Sequence, residues 1–329
     1  MLSIAVIGAG RIGQIHARNV AANPRARLAG VADLDGNAAA RLAEACGTKI
    51  LTLQSAFEAD AVMICSPTST HAGLIERAAA AGRPVFCEKP IDLSSARARA
   101  CLATVRNSHT PLMVGFNRRF DPNFAALKRR LDAGEIGKLE ILTIISKDPA
   151  PPPPEYIAAS GGLFHDMMIH DLDMARFLLG EEIVEVYAAA SSLVDPTIGA
   201  AGDVDSAVVT LRTAHGVLCQ ITNSRRATYG YDQRIEAHGS GGMLRAGNLT
   251  PTTVEVATAG GFTTDPVLPF FLERYAAAYR AELDAFIEAV ATKSPPHPDG
   301  EDGLRALLLA DAVTESARRR RSISLGGEV

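Results

Sequence analysis

The first 115 residues alternate between short apolar runs and longer stretches in which apolar residues recur at helical spacing. The apolar runs are rich in β-branched residues and predict buried strands over residues 3–8, 27–33, 60–65, 84–87 and 111–115. The stretches between them predict helices from Gly13 to about Ala22, over 70–81 and over 94–107. Strands that alternate with helices predict a parallel sheet covered by helices on both faces.

Beyond residue 120 the alternation gives way to a succession of strands. A helix over 121–132, a strand over 139–146 and a helix that ends at Gly180 come first; strands over 183–192, 205–213, 217–223 and 233–239 follow, and then helices over 272–291 and 301–320. Consecutive strands with short links predict an antiparallel sheet. We therefore expect an α/β protein, with a doubly wound parallel sheet in residues 1–120 and an α+β domain with a large, mostly antiparallel open sheet in residues 121–329.

Gly8, Gly10 and Gly13 lie between the first predicted strand and the first helix, at the spacing of a dinucleotide-binding loop. Gly8 permits the tight turn, Gly10 lets a pyrophosphate approach the backbone, and Gly13 lets helix and strand pack closely. The helix N-terminus then offers its unpaired N–H groups to the phosphates. This context predicts a Rossmann domain, in which Arg11 and Ile12 complete the cofactor-binding loop.

The second predicted strand ends in Asp33, 20 residues after Gly13. A carboxylate at this position can accept hydrogen bonds from the adenosine ribose hydroxyls, and it would repel a 2′-phosphate. We therefore expect NAD rather than NADP as the cofactor. Asp35 is the rival for this role, and its position favours capping of the next helix.

Two polar segments follow the third and fourth predicted strands, where ligands of a parallel sheet bind. The first contains Ser66, Thr68 and His71 and suits ribose or phosphate contacts, although a helix-capping loop explains it equally well. The second contains Glu88 and Lys89 before a proline. A lysine held between an acid and a proline at this edge is poorly suited to be a mobile surface charge, so both residues are assigned to the cofactor site.

Residues 161–173 predict the opening turns of a largely buried helix, because apolar residues recur there at helical spacing. Asp166 and His170 are four residues apart and share one face of that helix. A carboxylate and an imidazole on a buried helix are costly unless they are paired or used. They are either an acid–base pair or a structural core histidine with a capping aspartate.

The composition excludes several classes of function. The chain has 47% hydrophobic and 21% charged residues and a net charge of −4, which gives no electrostatic case for nucleic acid or an anionic membrane as partner. No apolar run is long enough to span a bilayer, and the N-terminus lacks the basic region of a signal peptide. Five cysteines without CxxC spacing fit a reducing, cytoplasmic location.

Three motifs in this order resemble the Gfo/Idh/MocA oxidoreductases. They are the Gly8–Gly13 loop, Glu88-Lys89-Pro90, and Gly161-Gly162 followed by Asp166-x-x-x-His170. The resemblance covers essentially the whole chain. Residues 115–121, 146–156 and 173–180 are similar to the inositol 2-dehydrogenase branch of that family.

The resemblance implies NAD-dependent oxidation of a secondary hydroxyl of a cyclic polyol, with myo-inositol converted to 2-keto-myo-inositol. In the family, Lys89 and His170 flank the reacting hydroxyl and Asp166 supports them. The residues expected to bind substrate are Lys89, Arg118, Asp148, Asp166, His170 and Tyr231. The family further implies a homodimer or homotetramer that assembles through the open face of the second sheet.

One loop departs from the pattern of some inositol dehydrogenases, which carry a substrate-binding histidine and asparagine there. This chain has Ser146 and Asp148 instead, so the preferred stereoisomer stays open.

Three other interpretations are weaker. A metal site built on His165, Asp166, His170 and Asp173 is disfavoured, because the two histidines are five apart and point to different faces; no metal is expected. An aldose or other sugar dehydrogenase would keep the fold and change the substrate. A non-catalytic NAD-binding sensor would have no need for Lys89, Asp166 and His170.

Overall fold

The computed structural model describes residues 1–326, except for the side chains of Pro154, Ala158 and Ala159. The chain divides into two compact units. The first unit consists of residues 1–120 and 278–307, and the second unit consists of residues 121–277 and the segment from Leu308 onward. Across the described part of the chain, no helix combines the length and the hydropathy needed to cross a membrane.

The strands, in chain order, are β1 Leu2–Ile7, β2 Ala26–Ala32, β3 Ala61–Ile64, β4 Val85–Glu88, β5 Leu112–Gly115, β6 Leu139–Lys147, β7 Ile183–Ser191, β8 Ser206–Thr213, β9 Leu218–Ser224, β10 Asp232–Gly239, β11 Gly242–Ala246, β12 Glu255–Thr258, β13 Gly261–Thr264 and β14 Ile323–Ser324. The helices are α1 Arg11–Ala22, α2 Gly36–Ala45, α3 Leu53–Ala56, α4 His71–Ala80, α5 Ser95–Ser108, α6 Pro122–Asp132, α7 Pro154–Ser160, α8 Ile169–Leu179, α9 Pro196–Ala200, α10 Phe271–Arg274, α11 Ala276–Thr292 and α12 Gly300–Arg319.

The first unit is built on a parallel sheet with the strand order β2-β1-β3-β4-β5. Its strands are almost entirely buried, because helices cover both faces and leave no side exposed to water. Side chains of α1 and α11, among them Val20, Leu283 and Phe286, belong to the apolar cluster that contains Ile4, Val6 and Met63 of the sheet. The carboxyl ends of β1, β3 and β4 therefore open at one common edge.

The second unit is built on a seven-stranded sheet with the order β11-β10-β6-β9-β8-β7-β14. All neighbouring pairs are antiparallel except β6 and β9, which run parallel. Buried and exposed positions alternate along β8 and β10, so one face is covered and the other faces outward. Together with the parallel sheet of the first unit, this confirms the predicted fold class.

Several local features differ from the expectation. The segment predicted as one regular helix starts with a π-helical turn at Phe164–Met168 before α8 begins, and an unpredicted helix, α7, precedes it. The helix predicted over 272–291 is two helices, α10 and α11. The exposed hairpin of β12 and β13 was not predicted, because an exposed strand pair has no burial pattern to reveal it.

Candidate functional site

The loop after β1 packs so closely that two of its glycines, Gly8 and Gly13, leave no room for a Cβ atom. A Cβ built on Gly13 would lie 1.9 Å from the carbonyl oxygen of Gly8, and one built on Gly8 would lie 2.5 Å from the Cys65 backbone. Gly10 caps α1 without a side-chain hydrogen bond, and a Cβ on it would meet no described heavy atom within 4 Å. The loop therefore leaves space at the N-terminus of α1, where backbone N–H groups suit a pyrophosphate.

Asp33 follows β2 and is tied to this loop. Its Oδ2 accepts a hydrogen bond from the Ala9 N–H at 2.6 Å, and its Oδ1 accepts one from the Asp35 N–H at 2.8 Å. These two bonds fix the carboxylate beside the loop and leave lone pairs on both oxygens for ribose hydroxyls. Asp35 caps α2 by accepting hydrogen bonds from two N–H groups of its first turn, as predicted.

The side chain between these two aspartates is Leu34, which is 97% exposed. An apolar side chain that protrudes next to a predicted ribose acceptor suits the flat face of an adenine ring. The sequence analysis missed this residue, because a single leucine in a turn carries no pattern.

His71 joins the two polar loops at the edge of the sheet. Its Nδ1 lies 2.7 Å from the Pro90 carbonyl oxygen and its Nε2 lies 2.7 Å from the Ser66 carbonyl oxygen. The ring is 1% exposed, and burial lowers the pKa of His71. Ser66 and Thr70 share a hydrogen bond of 2.6 Å, and Thr68 is half-buried in the same turn. The structure thus places His71 as a brace between the loops, and Ser66 and Thr68 on one of them.

Glu88 ends β4, and Lys89 follows it at the carboxyl edge, half-buried. The Glu88 carboxylate lies against Gly115 of the neighbouring strand, where a Cβ would come within 3.1 Å of it. Glu88 Oε1 also lies 2.7 Å from His16 Nε2. Arg118, in a short turn after β5, is 4% exposed and belongs to the same unit.

In the second unit, the pairing of strands brings several predicted residues together. Lys147, the last residue of β6, pairs in parallel with Ser224, the last residue of β9, and on its other side pairs with Asp232, the first residue of β10. Asp148, Arg225 and Tyr231, which lie just beyond these positions, therefore meet at one edge of the sheet. The Asp148 N–H donates to the Ser224 carbonyl oxygen at 2.9 Å, which fixes the turn out of β6.

Asp166 and Asp148 face the same buried guanidinium. Arg225 is 1% exposed; its Nη2 lies 3.6 Å from Asp166 Oδ2 and its Nη1 lies 3.8 Å from Asp148 Oδ2. The Tyr156 hydroxyl donates to Asp166 Oδ1 at 2.9 Å. Asp166 lies in the π-helical turn and His170 near the start of α8, and both are half-buried. π-Helical turns within helices are frequent at functional sites.

Arg225 and Tyr156 are the polar partners that the sequence analysis missed. Arg225 follows a strand and Tyr156 follows a proline run, so neither belongs to a recognisable spacing motif. A buried arginine can be recognised from sequence only when its acidic partners are known, and these come from distant parts of the chain.

Tyr231 and Ser146 are almost entirely buried. The Tyr231 ring is 5% exposed and packs edge-on against Phe270 and Tyr275, with centroids 6.3 Å and 6.0 Å away. The Ser146 hydroxyl is fully buried and donates to Gln233 Oε1 at 2.7 Å. Ser146 and Asp148 are the two residues at which this loop departs from the pattern of some inositol dehydrogenases. Of the two, Asp148 is thus the one whose side chain reaches the edge of the sheet.

Buried polar side chains of the second unit form further hydrogen bonds and an ion pair. Asn223 Nδ2 donates to Asp171 Oδ2 at 2.9 Å, and the Tyr275 hydroxyl donates to Gln233 Oε1 at 3.1 Å. Arg274 and Asp121, each 1% exposed at the side chain, form a bidentate ion pair, and the hydrogen bond to Asp121 raises the pKa of Arg274 against the opposing effect of burial. Such pairs fix orientation where apolar packing would allow several arrangements.

Comparison with known proteins finds a matching family model in each part of the chain. Residues 2–116 match the oxidoreductase family with an NAD-binding Rossmann fold, and residues 124–245 match the GFO/IDH/MocA C-terminal domain. The sequence is 53% identical to the inositol 2-dehydrogenase of Rhizobium meliloti (strain 1021), over 97% of this chain and 98% of that protein.

Solved structures give the same result. A myo-inositol dehydrogenase from Corynebacterium glutamicum has a TM-score of 0.95 at 49% identity, over 99% of each chain. A scyllo-inositol dehydrogenase from Lactobacillus casei, solved with bound NAD(H) and scyllo-inositol, has a TM-score of 0.90 at 28% identity, over 98% of this chain and 99% of that one.

Proposed function

The chain belongs to the GFO/IDH/MocA oxidoreductase family, as the motifs predicted, and from that premise we propose that it is an NAD-dependent inositol 2-dehydrogenase. The reaction is the oxidation of a secondary hydroxyl of a cyclic polyol, with myo-inositol converted to 2-keto-myo-inositol. The observation that carries the proposal is the full-length identity of 53% to an inositol 2-dehydrogenase, with Lys89, Asp166 and His170 all present. In this proposal residues 1–120 bind NAD and residues 121–329 provide the substrate and oligomerisation domain, with C-terminal residues 278–307 belonging to the same compact unit as residues 1–120.

Oxidation of a secondary alcohol separates a hydride from a proton, and bound NAD supplies the hydride acceptor. The proposed base for the hydroxyl proton is His170, acting as a neutral imidazole. Lys89 stabilises the alkoxide that develops as the proton leaves. The residues of this chain thus provide position and proton handling.

Asp166 is proposed to orient His170 and to stabilise the imidazolium after proton transfer. This role suits its surroundings, because the Tyr156 hydroxyl bonds to one oxygen while the Arg225 guanidinium faces the other. The carboxylate is therefore fixed in direction before substrate arrives, which limits reorganisation during the reaction. Arg118, Asp148 and Tyr231 complete the proposed substrate set.

The direct test is NADH formation with a panel of polyols: myo-inositol, scyllo-inositol, chiro-inositol, glucose, galactose and xylose, each with NAD and with NADP. Turnover of an inositol with NAD is the expected result. Activity on an aldose alone would indicate that the protein is a sugar dehydrogenase of the same family. Tight NAD binding without turnover of any of them would favour a sensor.

Replacing Asp33 by asparagine is expected to raise the KM for NAD about tenfold and to narrow its preference over NADP, because the ribose hydroxyls lose a charged acceptor. Steady-state kinetics with both cofactors measures the change. Asp35→Asn is the matched control, since it removes the same charge two residues away while asparagine caps α2 as well as aspartate does. An unchanged NAD-to-NADP ratio in Asp33→Asn would refute the assignment.

We further infer a homo-oligomer, a dimer or tetramer, assembled through the outward face of the seven-stranded sheet. Ile141, Tyr187, Val208 and Leu218 project from four adjacent strands of that face and are each 41–46% exposed. Apolar side chains distributed among polar ones over one exposed face suit an interface of mixed character. The five cysteines are free thiols, which suits the proposed cytoplasmic location.

Val208→Glu is expected to shift the protein to a smaller oligomer, because it places a charge in the centre of the proposed interface. Analytical ultracentrifugation measures the mass in solution. Phe262→Glu serves as the control: Phe262 is 78% exposed on the hairpin of β12 and β13, away from the sheet. If both variants keep the wild-type mass, the sheet face is not the interface.

A further inference from the structure

Three polar side chains meet in the interior of the first unit, and one of them belongs to Glu88, the residue that precedes Lys89. We name His16 of α1, Glu88 of β4 and Glu282 of α11 the buried acid cluster. His16 Nε2 lies 2.7 Å from Glu88 Oε1 and 3.9 Å from Glu282 Oε1. The side chains of His16 and Glu282 are 0% exposed, and that of Glu88 is 13% exposed.

Glu282 is the unusual member of the cluster. Neither of its carboxyl oxygens has a hydrogen-bond partner among the described residues, and burial, with a smaller contribution from the charge of Glu88, raises its pKa well above the ordinary value. An isolated carboxylate in an apolar interior is far less stable than the neutral acid. Burial therefore favours the neutral acid over the carboxylate at Glu282.

The surroundings of the cluster favour a shared proton over a bound cation. The rings of Phe86 and Tyr279 pack against His16 with centroids 5.0 Å and 5.6 Å away. A contact of 2.7 Å is a hydrogen bond, whereas two ligands of a tetrahedral zinc ion with bonds of 2.0–2.1 Å lie about 3.3 Å apart. The His16–Glu88 distance thus leaves no room for a metal between these two atoms.

We propose that Glu282 is a positioning residue: it faces His16 Nε2 at 3.9 Å and thereby fixes the imidazole that binds the Glu88 carboxylate, and with it the backbone that carries Lys89. Glu88 and Lys89 are consecutive, so a shift of the backbone at Glu88 also shifts the backbone of Lys89. The proposal rests on the proposed function only for the role of Lys89. The titratable and charged groups around the cluster are Cys65 and Cys87 from the sheet, Tyr279 from α11, and His71 and Lys89 from the edge loops.

The protonation of Glu282 makes a distinct prediction for the pH dependence of stability. Because its pKa is higher in the folded than in the unfolded chain, the folded protein holds an extra proton once the pH exceeds about 4.5, the ordinary value for glutamate. Its contribution to stability is full below that pH and is lost progressively as the pH rises toward the folded pKa. Glutamine keeps the shape and the donor group but does not titrate.

The experiment compares the wild type with Glu282→Gln and Glu282→Leu. Glu282→Gln is expected to keep kcat within about threefold of wild type, while Glu282→Leu, which presents no polar group to His16, loses about ten- to a hundredfold through misplacement of Lys89. Thermal unfolding from pH 5 to pH 9 should show the Glu282→Gln midpoint equal to wild type at pH 5 and about 3 °C or more above it at pH 9.

A folded Glu282→Leu variant with wild-type kcat would overturn the positioning role. A Glu282→Gln variant as slow as Glu282→Leu, or less stable than wild type at pH 9, would show that an ionised carboxylate is needed and would overturn the neutral state. If Glu282→Leu fails to fold, the unfolding midpoints of Glu282→Gln still test whether Glu282 is neutral in the folded protein. These midpoints require no substrate, so they remain informative if the wild type fails to oxidise any inositol.

Discussion

Replacing His170 by alanine is expected to lower kcat for inositol oxidation by about a hundredfold or more, which is the usual contribution of a general base. The hydroxyl proton must leave as the hydride departs, and alanine offers no acceptor for it. Because the base acts in the chemical step, KM for NAD should stay near the wild-type value. Steady-state kinetics with saturating NAD over pH 6 to pH 10 measures the change.

His165→Ala is the matched control for this experiment. His165 lies five residues away in the same segment and also has a carboxylate partner, with its Nε2 2.8 Å from Asp311 Oδ1. It has no assigned role in the reaction, so its removal should leave kcat near that of the wild type. The assignment of His170 would be wrong if the two variants lost activity equally, or if His170→Ala turned over normally.

Lys89→Met separates the second catalytic role from cofactor binding. If Lys89 stabilises the alkoxide, methionine should lower kcat by a factor comparable with that of His170→Ala, while NAD binding measured by calorimetry changes little. A loss confined to NAD affinity would instead restrict Lys89 to the cofactor site.

The sequence predicts most of the first unit because its signals are local. Each strand is a continuous apolar run, helices connect consecutive strands, and Gly8 and Gly13 are required by contacts with each other and with the residue that follows the neighbouring strand. Asp33 could be identified for the same reason, since its distance from the loop along the chain is fixed by one βαβ unit.

The second unit is less accessible to sequence reasoning because its decisive contacts are long-range. The parallel pairing of β6 with β9, which places Asp148 beside Arg225, joins residues more than 70 positions apart. Nothing in the alternation of either strand distinguishes a parallel from an antiparallel neighbour. Glu282 likewise occupies an ordinary helical position, and only the packing of α1 and β4 against it makes it unusual.

Arg225→Met is expected to destabilise the second unit by about 2 to 3 kcal/mol, below the roughly 3 to 5 kcal/mol for breaking a fully buried ion pair, because Asp148 and Asp166 retain some exposure. The methionine has nearly the volume of arginine but leaves two carboxylates without their shared cation. Asp166 then loses a contact that directs it, so kcat should also fall, by about tenfold or more. Thermal unfolding and steady-state kinetics measure the two effects.

The neighbouring residue provides the control. Arg226 is exposed and donates to the Val194 carbonyl oxygen, so Arg226→Met removes the same charge from almost the same place without uncovering a carboxylate. It should change stability by no more than about 0.5 kcal/mol, as is usual for surface substitutions. Arg225→Lys should recover part of both losses, since it restores the charge but not the planar fork that faces two acids at once. If Arg225→Met proved as stable and as active as Arg226→Met, the guanidinium would not be the group that holds Asp148 and Asp166 in place.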